Sequence, residues 1–168
     1  MESICIRRVQ KGDEHILAHI QTESWRAAFQ DIVPDRLLAA YTRQDQATAM
    51  YRKLLDGGRG NGYLLEADGA PLCMAYWDKT REPDMPGYAE LICIHSLQSS
   101  WGRGHGSKLM DRIFSDVQKA GYAKIMLWVF EKNCRAIEFY KAKGFVAGGR
   151  SRTAFGATEV LYLKTFQD

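Results

Sequence analysis

The sequence predicts a mixed α/β (α+β) fold built on a central mixed sheet of about seven strands. Three observations carry this reading. Two strand-like runs, Gly62-Tyr-Leu-Leu-Glu-Ala67 and Pro71-Leu-Cys-Met-Ala-Tyr-Trp77, flank Asp68-Gly69 and form an antiparallel hairpin pattern. The order then becomes strand–helix–strand–helix–strand. The chain does not open on the strand–glycine loop–helix unit of a doubly wound nucleotide-binding sheet.

Taken in order, Ile4–Val9 reads as a short strand. Asp13 is placed to cap a helix whose Ile16, Leu17, Ile20, Trp25 and Phe29 recur near helical spacing. Pro34 opens a short helical turn through Leu37 and Leu38, and a further helix runs from Asp45 through Leu55 to the stop at Gly57-Gly58. After the hairpin, Pro83 and Pro86 mark Thr80–Gly87 as a loop, and Tyr88–His95 reads as the next strand. Leu109, Met110, Ile113, Phe114 and Val117 form one helical stripe ending near Gly121. Lys124–Phe130 has the apolar continuity of a central strand, a helix follows from Asn133 to Lys143, and Phe145–Phe166 supplies two final strands. No repeat or linker divides residues 1–168, so one domain is expected.

With 168 residues and 46% hydrophobic content, the chain has material for a full core. Lys+Arg 23 less Asp+Glu 20 gives +3, too mild and too dispersed for nucleic acid as the main partner. The four cysteines lack Cys-x-x-Cys spacing, and buried reduced thiols are the expectation. His15 and His19 stand four apart without further ligands in view, so no metal is expected. No segment reaches membrane-spanning length and no apolar leader opens the sequence, so the expectation is a cytoplasmic protein without a membrane partner.

The most informative run is Trp101-Gly-Arg-Gly-His-Gly106, at the junction between a strand and an amphipathic helix. Alternating glycines leave backbone N–H groups bare, and the helix adds its positive dipole end, so the junction suits a phosphate or pyrophosphate. It lacks the Gly-Lys-Ser/Thr ending of a nucleoside-triphosphate loop and the spacing of the dinucleotide fingerprint.

Here the sequence resembles the GNAT family of N-acetyltransferases, which move an acetyl group from acetyl-coenzyme A to amines. The family's Gln/Arg-x-x-Gly-x-Gly/Ala loop is matched in its latter part by Arg103-Gly104-His105-Gly106, with Gly102 before it and Trp101 at the first position. Its downstream pattern Asn-x-x-Ala-x-x-x-Tyr-x-x-x-Gly-Phe is met at Asn133, Ala136, Tyr140, Gly144 and Phe145. The resemblance implies helices on both faces of a sheet that splays between two parallel strands, Tyr88–His95 and Lys124–Phe130. It implies acetyl-CoA as acyl donor in that wedge. Ile94, His95 and Ser96 would meet the pantetheine arm, Trp101, Gly102, Arg103, Gly104, His105, Gly106 and Ser107 the pyrophosphate, and Asn133 the pantetheine as well.

The family pattern puts Tyr140 beside the sulfur as general acid, and a phenol donates at neutral pH. Glu90 is the first candidate for the base, with Glu131 a substitute. Strand alternation sets Glu90, Ile92 and Ile94 on one face and His95 on the other, which argues against Glu90 and His95 acting together. A ping-pong route through Cys93 or Cys134 would need a base held against the thiol. Trp25, Phe29 and Tyr88 are candidate linings of the acceptor pocket, and Glu23, Asp78 and Glu131 stand near its expected opening.

The expected reaction is acetyl transfer to a small-molecule or peptide primary amine by direct attack in a ternary complex. Alternatives are a catalytically silent CoA-binding sensor or interaction domain, and a transferase of a larger acyl group. A homodimer is compatible with the resemblance and is not specified by the sequence.

Overall fold

The computed structural model describes residues 1–167. Strands β1 (Ile4–Arg8), β2 (Asn61–Ala67), β3 (Ala70–Lys79), β4 (Tyr88–Ser96), β5 (Lys124–Phe130), β6 (Val146–Ala154) and β7 (Ala157–Thr165) form one sheet in the order β1-β2-β3-β4-β5-β7-β6. All neighbours are antiparallel except β4 and β5. The fold class and strand count agree with the sequence reading.

Helices α1 (Glu14–Phe29), α2 (Asp35–Tyr41), α3 (Gln44–Asp56), α4 (His105–Lys119) and α5 (Cys134–Ala142) cover both faces of the sheet. On one face Leu17 and Ile20 of α1 and Tyr51 of α3 pack on Leu64, Met74 and Tyr76. On the other, Leu109, Met110, Ile113 and Val117 of α4 pack on Leu65, Ala75, Leu91 and Ile125. These four α4 side chains have no solvent exposure, and each contributes about 1.5–3 kcal/mol through the apolar surface it removes from water.

Two local expectations are corrected. Asp13 makes no side-chain cap for α1; its carboxylate accepts from Arg7 at 2.8 and 2.9 Å and from the Gln10 N–H at 2.8 Å. The guanidinium offers two charge-assisted bonds where a cap offers one, and β1 brings it within reach. Of the cysteines, Cys73 is buried and Cys93 half-buried, but Cys5 and Cys134 are exposed, Cys5 because β1 is an edge strand.

The feature that positions the site is the β4–β5 pair. It holds only at Tyr88↔Lys124, Ala89↔Ile125 and Glu90↔Met126. Beyond Glu90 the strands part, while β4 stays paired to β3 as far as Ser96 and β5 to β7 as far as Phe130. A β-bulge falls at the same place: Tyr76 faces Cys93 but Trp77 faces Leu91, leaving Ile92 without an opposite number. The extra residue reverses the alternation. Ile94 therefore joins Ala89 and Leu91 on the α4 face, whereas Cys93 packs on the α1 face. His95 is also on the α1 face, bonded to Trp25. The expected separation of Glu90 from His95 is overturned; both line one cavity.

Candidate active site

The wedge opens into a cavity of about 620 Å³ bounded by α1, the diverging strands and the start of α5. Trp25, Phe29, Glu90, Ile94, His95, Ser96, Asn133 and Tyr140 all line it. The sequence had named each of these from separate segments. Tyr88 is not among the lining residues. It precedes the divergence, in the part of β4 still closed against β5, where its ring packs with Met85 and Met126 and Lys124 lies 5.3 Å away.

At the mouth of the wedge the chain turns through Gly102 and Gly104 into α4. Both glycines have left-handed φ, +76° and +81°, and a Cβ on either would meet nothing within 4 Å. Their side-chain positions face open space, so a ligand can approach the backbone there. The six N–H groups from Gly102 to Ser107 have no acceptor within the protein among the described residues. No carboxylate stands in the first turn of α4, and the helix dipole adds to the donors. This arrangement fits a pyrophosphate.

The side chains of the loop do other work. His105 is buried at 1% exposure, with Nδ1 2.6 Å from the Ser100 hydroxyl and Nε2 2.9 Å from Glu2. Its imidazole is thus withdrawn from any ligand, while its backbone N–H stays available. Arg103 pairs with the other oxygen of Glu2. The hydrogen bond with His105, then the charge of Arg103, hold the Glu2 carboxyl below its ordinary range. Trp101 donates its indole N–H to the Ser96 carbonyl at 3.1 Å, and the Arg135 guanidinium lies 3.6 Å over its ring. Arg135, which lines the cavity, escaped the sequence reading.

Asn133 caps α5, accepting from the Ala136 N–H at 3.3 Å, while its amide nitrogen has no protein partner among the described residues. Tyr140 packs against Phe139 and Phe145 at centroid distances of 5.6 and 5.8 Å. Its hydroxyl has no hydrogen bond to the described residues. Burial, with the Cys93 thiol nearby, pushes the phenol well above its usual range, so it stays protonated at neutral pH.

Glu90 is 2% exposed and held by Arg81, whose backbone N–H and Nε reach Oε1 at 3.0 and 3.1 Å and whose Nη2 reaches Oε2 at 2.6 Å. It is no solvated strand-end carboxylate. Two oxygens offer about four lone-pair sites, and three are taken. His95 accepts the Trp25 indole N–H on Nε2 at 3.3 Å, and burial lowers its pKa to about 4. It is neutral at pH 7 and a weak base. Burial raises the Cys93 thiol to about 12, and its sulfur lies 3.9 Å from that of Met74, so it has no thiolate character. Cys134 is exposed and borders a separate groove between α5 and the β6–β7 hairpin, where Glu131 is also found. Of the acidic residues expected at the opening, Asp78 lines the cavity and Glu23 pairs with Arg26 outside it.

The tail adds residues the sequence reading missed: Phe155, Glu159 and Arg152 line the cavity, with Glu159 accepting from Arg152 Nε at 2.8 Å. A carboxylate directly before the apolar run Val160-Leu-Tyr-Leu163 was the one visible signal for Glu159. Among the described residues no cluster of His, Cys, Asp and Glu has the makings of a metal site. No helix among them is long and apolar enough to cross a membrane.

Comparison with known proteins gives this geometry its class. The acetyltransferase (GNAT) family profile matches residues 17–145. A probable N-acetyltransferase of Mycobacterium tuberculosis is 25% identical over 154 residues, 90% of this chain and 84% of that protein. The PaiA N-acetyltransferase of Thermoplasma acidophilum, solved in complex with coenzyme A, superposes with TM-score 0.80 at 17% identity, covering 98% of this chain and 99% of that one. YncA of Salmonella typhimurium, a putative acetyltransferase solved with acetyl-CoA, superposes at 0.73 and 18% identity, covering 98% and 95%. The chain belongs to the GNAT family, and by class it is an acetyl-CoA-dependent N-acetyltransferase.

Proposed function

We propose that this protein transfers the acetyl group of acetyl-CoA to a primary amine by direct attack within a ternary complex, with Tyr140 as general acid and Glu90 as general base. The observation that carries the reading is the free Tyr140 hydroxyl lining a wedge whose mouth presents six unpaired amides. The thioester supplies an electrophilic carbonyl and, once its C–S bond breaks, a thiolate leaving group.

The residues meet three needs of such a transfer. The Gly102–Ser107 amides hold the pyrophosphate, and the β5-facing backbone groups of β4 from Leu91 to Ser96, free of a strand partner, accept an extended arm like an added strand. One of those backbone N–H groups would serve the developing oxyanion. A primary amine of pKa about 10.4 is free base in roughly one molecule per thousand or fewer at pH 7, so it must lose a proton. The remaining lone-pair site on Glu90 receives that proton, directly or through water; the free amine attacks the thioester carbonyl, Tyr140 gives its hydroxyl proton to the departing sulfur, and the second N–H proton, shed as the amide forms, passes to solvent. Solvent restores both groups. No thiol stores the acyl group, because Cys93 stays protonated.

The test is release of coenzyme A from acetyl-CoA across a panel of primary amines, beside calorimetric titration with coenzyme A. Turnover with at least one amine supports transfer. Tight coenzyme A binding without turnover across the panel favours the sensor reading; turnover only with longer acyl donors would replace acetyl by a larger group.

A further inference from the structure

Six large hydrophobic residues are exposed among the described residues, and four of them gather at one place: Met50, Ile92 and Phe155 line the cavity, and Tyr41 packs edge-on against Phe155. An exposed apolar patch gathered around one opening marks a surface that meets an apolar partner. Phe155 is the most telling member. It occupies the tip of the β6–β7 turn with φ +53°, a conformation that an aromatic residue adopts against steric resistance. Asn, Asp or Gly would hold that turn without strain. The next residue, Gly156, has φ +72°, and a Cβ there would come within 2.7 Å of the Leu37 side chain, so the tip is pressed tightly on α2. The strained position sets the Phe155 ring edge-on to Trp25 at 5.1 Å and to Tyr41 at 4.8 Å, at the end of the cavity that Phe29 and Phe130 close below.

The charges of the same cavity, four arginines (Arg59, Arg81, Arg135 and Arg152) against three carboxylates, limit the other half of the ligand. Of its three lining carboxylates, Glu90 is held by Arg81 and Glu159 by Arg152. Asp78 alone forms no ion pair among the described residues. A polycationic acceptor would need several free carboxylates. One ammonium finds one.

We infer that the acceptor is a monoamine bearing a bulky apolar, preferably aromatic, substituent, and that Phe155 at the hairpin tip is its specificity-determining residue. The inference rests on the acetyl-transfer reading for its reaction but not for its binding surface. The substituent lies against Phe155 and Trp25, with Tyr41 packed behind Phe155, and the amine extends inward toward Asp78 and its cross-strand neighbour Glu90. The strain at Phe155 is retained because its ring completes this wall.

The test compares kcat/KM for phenethylamine, ethanolamine and spermidine with acetyl-CoA, in the native protein and in Phe155→Asn, which keeps a left-handed turn and removes the ring. Phenethylamine is expected to exceed each of the others at least tenfold, in the range one apolar contact surface commands. Phe155→Asn should cut the phenethylamine-to-ethanolamine ratio at least tenfold. Preference for spermidine or ethanolamine, or an equal loss on all three amines, overturns the inference. Titration of phenethylamine into the coenzyme A-loaded protein gives a readout that needs no turnover. Weaker binding by at least tenfold in Phe155→Asn supports the wall even if transfer fails, and no binding to the native protein overturns it. Phe155→Gly, strain-free at this turn, is the folding control: it should reproduce the loss of preference at an unreduced melting temperature.

Discussion

Replacing Tyr140 by Phe removes one oxygen from a site where the surroundings make the consequence calculable. The hydroxyl has no partner among the described residues, so its loss orphans no buried group, and the ring contacts with Phe139 and Phe145 survive. The melting temperature should therefore stay within a degree or two of the native value. In the reaction the same hydroxyl meets a thiolate, and a hydrogen bond to a charged group contributes about 1.5–3 kcal/mol. That interaction exists only once the C–S bond is breaking, so its loss appears in kcat, by about 10- to 150-fold. KM and Kd for acetyl-CoA should change less than twofold. Steady-state release of coenzyme A, followed with a thiol reagent, gives kcat and KM together, and calorimetry gives Kd. An unchanged kcat would remove Tyr140 as the acid. A raised Kd with kcat intact would make it a binding residue instead.

Further outcomes follow from the loop, the carboxylate and the histidine. Gly104→Val forces a β-branched residue to φ +81° and sets its methyls in the space above the free amides; Kd for acetyl-CoA should rise at least tenfold by calorimetry. Glu90→Gln leaves Arg81 half-paired, at a cost of about 1–2 kcal/mol because that guanidinium is 60% exposed. If Glu90 is the base, the variant should also lower kcat/KM about 100-fold with little change in Kd for acetyl-CoA, whereas an unaltered kcat/KM would leave only a structural role. His95 binds protons less readily folded, with a pKa of about 4, than unfolded near 6.5. The unfolded chain therefore takes up the extra proton between those values, and stability falls as pH drops through the window. The loss should be about 1–3 kcal/mol for this half-buried ring, read as a melting-temperature difference that narrows in His95→Gln.

Much of the site was legible because its residues answer to local rules. The glycines at 102 and 104 are needed for φ, Asn133 for a cap, and the α4 stripe for a core, and each leaves a pattern within a few positions. What stayed hidden depends on long-range pairing. Alternation along β4 gave the wrong faces because a bulge is a property of two strands, and Ile92 bears no mark that Tyr76 and Trp77 will skip it. Asp13 looked like a cap because its partner Arg7 sits on another element. Arg81, Arg152 and Glu159 enter the cavity from a loop and a hairpin whose sequences carry no chemistry-bearing motif. The inward turn of the His105 ring is set by Glu2 and Ser100, which reach it from outside the glycine run.

The bulge and the divergence fall at one point, and their coincidence explains how a sheet can hold a gap near its centre. Unpaired backbone groups buried dry would cost about 1–3 kcal/mol each. Here they border a cavity of about 620 Å³ that solvent can enter, so the cost is avoided. Neither strand depends on the other for its place. Beyond Glu90, β4 is fixed by five pairs with β3, at Leu91 and from Cys93 to Ser96, and β5 is fixed along its whole length by seven pairs with β7. The wedge is therefore built before any ligand arrives, and binding need not break a single strand pair to open it. A preformed opening spares the ordering cost that a closing loop would impose. It also keeps Glu90, the last β4 residue paired to β5, fixed to within the play of its neighbours while the β5-facing edge beyond it is free to receive an extended partner.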